Sequence, residues 1–238
     1  MFKFLSCTII GIAMAYSAPL AFSQDTQDMI VVTGSRIDRS DIAQASTPNV
    51  TIKVPADFIL TELSYESGTR DPAERKAELN AMFDKVTLAA TNTSGISLEA
   101  GEVGYSAPIE TVTFPEIYRT GYGSQKSTFQ LVLRVEVEPG DEFDNLRVRA
   151  EAFTDAIGLV GRTEDVFGDE QYIGIINASR HRETLLQAIH AELQSLKRIF
   201  NASSIEISGL GQKVVTQPTG VLELELYIPY SITITTKR

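Results

Sequence analysis

Residues 129–137 have the sequence FQLVLRVEV, in which nearly every second side chain is apolar. This period of two predicts a strand with one face packed on a core and the other face in water. Residues 222–234 (LELELYIPYSITI) show the same alternation around Pro229. They predict one long strand, and its proline predicts a place at a sheet edge or a bulge, from which the strand can pair with another chain.

Helical patterns lie between the groups of strands. Asp71 and Pro72 are typical of a helix N-cap and of the first helical position, and an apolar stripe follows them. Two further stripes occur within residues 146–157 and 178–200. The sequence therefore predicts an α+β fold: antiparallel sheets with about three helices packed on one face, in the order β-β-α-β-β-α-β-α-β-β.

The N-terminus has the three parts of a secretory signal peptide. Lys3 precedes an apolar run that ends at the small-x-small triplet Ala21-Phe22-Ser23. A membrane anchor is the alternative interpretation, but the run is short for the about 20 residues of a bilayer span. We expect a signal peptide over residues 1–23, a flexible leader over 24–48 and one domain over 49–238, with no transmembrane span after cleavage.

The cysteine content indicates the cellular compartment, and the net charge indicates which partners are excluded. Cys7 is the only cysteine and lies in the signal peptide, so the mature chain has no disulfide, which favours a bacterial periplasm. The full chain has 31 acidic and 21 basic residues. This acidic balance argues against nucleic acid as a partner, because phosphate binding needs clustered lysine and arginine.

No residue pattern identifies a reaction. His181 and His190 are nine positions apart in one predicted helix, which is too far for a shared metal ion. The acidic residues 164–170 lack the spacing of a calcium loop and indicate a solvated turn before a strand at 172–176. Residues 209–211 (GLG) lack the third glycine of a dinucleotide-binding turn. We predict a non-enzymatic protein with no cofactor and no metal site.

Residues 101–127 form a long segment with glycines, prolines and aromatic side chains. A segment of this kind is typical of a functional loop, an extended hairpin or an assembly arm. Tyr105, Tyr118 and Tyr122 predict an interaction surface, since tyrosine is enriched at interfaces. The alternative is a hairpin whose rings cover the sheet. Use of this loop by a hydrolase or a small-ligand protein would need a deep pocket.

From residue 51 onward the chain resembles the SIMPL-domain family of bacterial envelope proteins. The strand at residues 51–54 ends in Pro55-Ala56-Asp57, and a second strand and an alanine-containing helix follow, as in that family. Residues 129–158 resemble its central strand and next helix, and residues 179–207 its late helix and strand. The resemblance implies an exported α+β protein, periplasmic or associated with the outer membrane, which in some members forms ring-like homo-oligomers. It brings no catalytic residues.

Residues 29–37 (MIVVTGSRI) closely resemble the segment just before the plug of TonB-dependent outer-membrane receptors. Ile30, Val31 and Val32 are the apolar centre of this segment. The resemblance implies a strand that contacts TonB or an outer-membrane receptor.

Two hypotheses of function follow. The first is a non-enzymatic periplasmic protein of SIMPL-like type that associates with itself and supports the envelope, with the terminal strand around Pro229 as a pairing site. The alternative is an accessory partner of TonB-dependent transport that acts through residues 29–37.

Overall fold

The computed structural model describes residues 29–33, 50–121 and 125–236, and for residues 29–33 it describes the backbone. The predicted signal peptide, most of the predicted leader and Tyr122 lie outside these ranges. The α-helices in them are α1 (Pro72–Thr91), α2 (Phe114–Ile117), α3 (Phe143–Ile157) and α4 (Arg182–Ile199). Two 3-10 turns occur at Ile109–Thr111 and Ala178–His181.

The strands in the described ranges fall into three groups along the chain. The first group is β1 (Met29–Thr33), β2 (Ile52–Pro55) and β3 (Phe58–Ser67). The second is β4 (Ile96–Glu102), β5 (Tyr105–Pro108), β6 (Arg119–Thr120), β7 (Ser127–Glu136) and β8 (Thr163–Ile176). The third is β9 (Ala202–Ser208), β10 (Val215–Pro218), β11 (Glu223–Tyr227) and β12 (Ser231–Thr236).

β3 and β7 form the centre of the largest sheet. They pair antiparallel along their whole length, from Phe58 opposite Glu136 to Ser67 opposite Ser127. The strand order is β1-β8-β3-β7-β4-β5, and β6 also pairs with β7. Every pairing in this sheet is antiparallel. The predicted α+β class with antiparallel sheets is confirmed.

The apolar face of β7 and the helix α1 build the core. The predicted strand at residues 129–137 is β7, and its alternating apolar side chains are buried. α1 contacts β3, β4 and β7 and buries the stripe that the sequence predicted: Leu79, Met82, Phe83 and Val86. Asp71 caps this helix, since its Oδ1 accepts hydrogen bonds from the amides of Ala73 (2.8 Å) and Glu74 (3.0 Å). Pro72 is the first helical residue, as predicted.

The C-terminal strands lie in two smaller sheets. β11 lies between β10 and β2 in a three-stranded antiparallel sheet. β12 pairs antiparallel with β9, and we call these two strands the ribbon. α4 packs on β9 rather than on the largest sheet, although Leu185 and Ile189 near its N-terminus belong to the common core. The helix begins at Arg182, after a 3-10 turn, and not at about residue 178.

The prediction of one long strand over residues 222–234 is wrong. β11 ends at Tyr227 and the chain enters the ribbon at Ser231, so the two halves belong to different sheets. Pro229 lies in the break, where a residue without an amide hydrogen cannot continue a ladder. Gly209 (φ +93°) packs against this break, and a Cβ on it would lie 2.8 Å from the carbonyl oxygen of Pro229.

The predicted turn at residues 164–170 is also wrong, because these residues belong to β8. Thr61 lies opposite Gln171 and Leu63 opposite Phe167, so two positions on β3 correspond to four on β8. The extra residues form a bulge, in which Gly168 approaches Glu62 closely: a Cβ on Gly168 would be 3.2 Å from that side chain. The acidic side chains are solvated along a strand rather than in a turn.

The described part of the chain holds no helix that is both long and apolar enough to cross a membrane.

Candidate interaction surfaces

Residues 101–121 form an extended hairpin that contains short strands and helical turns. An extended hairpin is one of the three alternatives that the sequence predicted for this segment. β4 and β5 pair from Glu99 opposite Pro108 to Glu102 opposite Tyr105. Gly101 makes this tight pairing possible: its φ is +119°, and a Cβ there would lie 2.6 Å from the carbonyl oxygen of Tyr105. A 3-10 turn and α2 then return the chain to β6 beside β7.

The structure separates the tyrosines that the sequence grouped. Tyr105 lies beside the hairpin turn and is 90 % exposed. Tyr118 is half-buried, with its ring centre 5.3 Å from that of Phe114 and its hydroxyl donating to Ser127 Oγ at 3.0 Å. Tyr122 lies outside the described residues. Tyr105 is therefore available to a partner, whereas Tyr118 matches the alternative interpretation of a ring that covers the sheet.

A cleft of about 200 Å³ opens beside Tyr105. Its lining includes Glu102, Arg119 and Gln130, which supply hydrogen-bond donors and acceptors next to the exposed ring. Typical small-molecule sites have about 300–1,000 Å³. The cleft is therefore large enough for one side chain or one end of a ligand.

A polar network around the buried Ser127 fixes the end of the hairpin. Ser127, which is 1 % exposed, lies within 3.0 Å of the hydroxyls of both Tyr118 and Thr120. Burial alone would raise the pKa of Tyr118, but its hydrogen bonds to Ser127 and Thr120 and the nearby Arg75 guanidinium together hold the pKa below its ordinary value. The network places three hydroxyls and one cation at one end of the core.

Arg75 extends this network into α1. It is 5 % exposed, and its Nη1 donates hydrogen bonds to the carbonyl oxygens of Thr69 (3.2 Å) and Gln125. A charged donor makes stronger hydrogen bonds to carbonyls than a neutral donor does. Arg75 thus ties the turn before α1 to the chain just before β7. No signal in the sequence marked this residue, because its helical position alone does not reveal a contact 50 positions away.

Glu78 makes a second connection at the same end of the sheet. Its carboxylate accepts hydrogen bonds from Ser67 Oγ (2.7 Å), Thr69 Oγ1 (2.8 Å) and the amide of Arg162 (3.2 Å). Burial alone would raise the pKa of Glu78, but these donors outweigh it and hold the pKa below its ordinary value. Gly161 (φ +58°) lies against Glu78 with no room for a Cβ. Glu78 therefore joins α1, β3 and the start of β8.

A second cleft, of about 460 Å³, lies beside these contacts and carries charges of both signs. Its lining includes Lys126, Arg162 and Glu164. Lys126 bonds Glu66 and lies 3.5 Å from Glu164, and the hydrogen bond with Glu66 is the main cause that raises the pKa of Lys126. Both signs of charge therefore line the cleft, and Lys126 is held by the carboxylates of Glu66 and Glu164.

Residues 29–33, the described part of the segment that resembles the pre-plug region, form a strand at the end of the largest sheet. β1 pairs antiparallel with the C-terminal part of β8, and Ile30, Val31 and Val32 lie opposite Ile175, Gly174 and Ile173. The leader therefore contains one added strand, and the backbone of β1 is held by the domain itself.

The C-terminal end of α4 and the ribbon expose apolar side chains outside the core. Ile199 is 68 % exposed and Phe200 is 51 % exposed. Ile205, Ile232 and Ile234 share one face of the ribbon and are only half-buried. We call these five residues the apolar end. The sequence predicted an apolar stripe within residues 178–200, whereas in the structure α4 ends at Ile199 and Phe200 lies beyond it, half exposed.

No family model, no curated protein and no solved structure matches this chain. The resemblances to SIMPL-domain proteins and to TonB-dependent receptors therefore stay predictions. Within residues 50–121 and 125–236, no three His, Cys, Asp or Glu side chains lie close enough together to hold a metal ion. The apolar end and Tyr105 are the surfaces that the geometry offers most directly to a partner.

Proposed function

We propose that this protein is a non-enzymatic, periplasmic envelope protein of SIMPL-like type that associates with itself. The apolar end carries the proposal. Large apolar side chains that cluster on a surface favour contact with another apolar surface, since burial removes their area from water. The signal-peptide pattern supports export to the periplasm. The excess of acidic residues favours solubility of the chain outside the proposed contact.

Self-association is tested with the chain recovered from the periplasm of a Gram-negative host. We expect sedimentation velocity to show an associated species that grows with concentration. Ile199→Asp is expected to weaken association by about tenfold or more, because the carboxylate would have to be desolvated in the contact. Leu88→Asp is the matched control, since Leu88 is 64 % exposed near the C-terminal end of α1. A wild-type protein that stays monomeric at millimolar concentration would refute the proposal.

The alternative function, an accessory role in TonB-dependent transport, is supported by one observation. Residues 29–33 form the terminal strand of the largest sheet, and partners can bind such strands by adding a strand of their own. We expect deletion of residues 29–37 to abolish capture of the chain by purified TonB. Equal capture with and without this segment would exclude a TonB contact through it.

A further inference from the structure

Four other sheet edges in the described ranges carry features that discourage pairing with another chain. Natural edges are protected by shortness, by proline, by charge or by bulges. β5, β2 and β10 have four residues each and end in Pro108, Pro55 and Pro218. β2 also carries Lys53, which pairs with Glu223 of its neighbour at 2.8 Å. None of these three strands offers a long uninterrupted ladder.

The outer side of β8 is protected by charge. β1 covers β8 only at residues 172–176, so the stretch from residue 163 to 171 lacks a second neighbour among the described strands. This stretch contains a bulge opposite Glu62. It also contains four acidic residues: Glu164, Asp165, Asp169 and Glu170. Two copies that paired along it would bring like charges together, which is destabilising.

β12 differs from these edges. It has six residues with the sequence SITITT, without charge and without proline. It pairs with β9 on one side, and the described strands leave its other side unpaired. Ile232 and Ile234 lie on its apolar face, and Thr233 lies on the opposite face across from Glu206. An uncharged run of β-branched residues is well suited to accept another strand.

We propose that two copies of this chain pair antiparallel through β12 about a two-fold axis, so that the two ribbons form one four-stranded sheet in the order β9-β12-β12-β9. This interface specifies the self-association in the proposed function and rests on it. A two-fold axis makes one edge complementary to itself, so the same strand serves both copies. The pairing also places Ile232 and Ile234 of both copies on one continuous apolar face. Ile199, the last residue of α4, and Phe200 after it add exposed apolar side chains to each copy.

The axis passes near the middle of β12, which brings Thr233 close to its counterpart in the second copy. Thr233→Lys and Thr233→Glu therefore each place like charges beside each other in a homodimer. We expect each variant alone to weaken association at least about tenfold. An equimolar mixture of the two variants is expected to restore association as a heterodimer. Ser204→Lys, on the polar face of β9, is the control and is expected to leave association unchanged.

The outcomes separate this interface from the proposed function. Sedimentation of the wild-type protein, both variants, their mixture and the control is measured after circular dichroism shows that each is folded. If the wild-type protein associates and both Thr233 variants associate equally well, β12 is not the interface and self-association stands. If both variants are monomeric and their mixture stays monomeric, the two-fold pairing is refuted. A monomeric wild-type protein refutes self-association itself.

Discussion

Replacing Phe129 with alanine is expected to lower the free energy of unfolding by about 3–5 kcal/mol. Phe129 is fully buried in β7 at the centre of an aromatic cluster. Its ring centre lies 5.3 Å from that of Tyr65 and 5.9 Å from those of Phe83 and Phe114. The substitution removes these contacts and leaves a cavity between β3, β7, α1 and α2. Because small domains have only about 5–15 kcal/mol of stability in total, the loss is expected to bring the protein close to unfolding.

Urea denaturation followed by circular dichroism measures this change. Phe129→Leu is a graded variant that keeps part of the buried volume and is expected to cost less than Phe129→Ala. Leu88→Ala, at a site that is 64 % exposed, is expected to cost about 0.5 kcal/mol or less. Phe129→Ala also removes the contact with Phe114 in α2. Amide hydrogen exchange in residues 101–121 is therefore expected to become faster in this variant. A loss of stability no larger than that of Leu88→Ala would contradict the central position of this ring.

Local signals in the sequence predicted the elements that depend on near neighbours. The alternation in residues 129–137 identified β7, because every second side chain of this strand belongs to the core. The dipeptide Asp71-Pro72 located the start of α1, because a cap is made by groups within three residues of one another. The α+β class followed from the order of these elements along the chain.

The errors arose where a local pattern has more than one long-range solution. Residues 222–234 keep one parity across the break at Pro229, because Leu226 and Ile232 are an even number of positions apart. The alternation of apolar residues indicates which side chains share one face of a strand. It does not indicate which sheet the strand joins. The acidic residues 164–170 are typical of a turn, but an outer strand with a bulge keeps the same side chains in water.

The candidate site was predictable only in part. Tyrosine enrichment drew attention to Tyr105 and Tyr118, but composition cannot separate an exposed ring from one held by Phe114 and Ser127. Arg75 gave no signal, because arginine at a helix surface is ordinarily solvated. The difference between β12 and the four protected edges needed the pairing of every described strand, which no single segment of sequence contains.

Replacing Asp57 with alanine is expected to lower the free energy of unfolding by about 2–3 kcal/mol. Asp57 ends the Pro55-Ala56-Asp57 step that led to the SIMPL resemblance, and its contacts in the structure give it a physical role. Its Oδ2 accepts a hydrogen bond from the amide of Ile176 at 2.7 Å, and its Oδ1 accepts one from Arg180 Nη2 at 2.8 Å. The substitution leaves the amide at the end of β8 without its carboxylate acceptor, beside the point where β1 begins to pair.

Arg180→Met separates the two contacts of Asp57. The side chain of Arg180 is 45 % exposed, and partly exposed ion pairs contribute only about 0–1 kcal/mol, so this variant is expected to cost much less than Asp57→Ala. Asp57→Asn keeps an oxygen that can accept from the Ile176 amide and is expected to fall between the two. Hydrogen exchange at Ile176 should accelerate in Asp57→Ala and stay slow in Arg180→Met. If Arg180→Met costs as much as Asp57→Ala, the ion pair with Arg180, rather than the contact with the Ile176 amide, holds the end of β8.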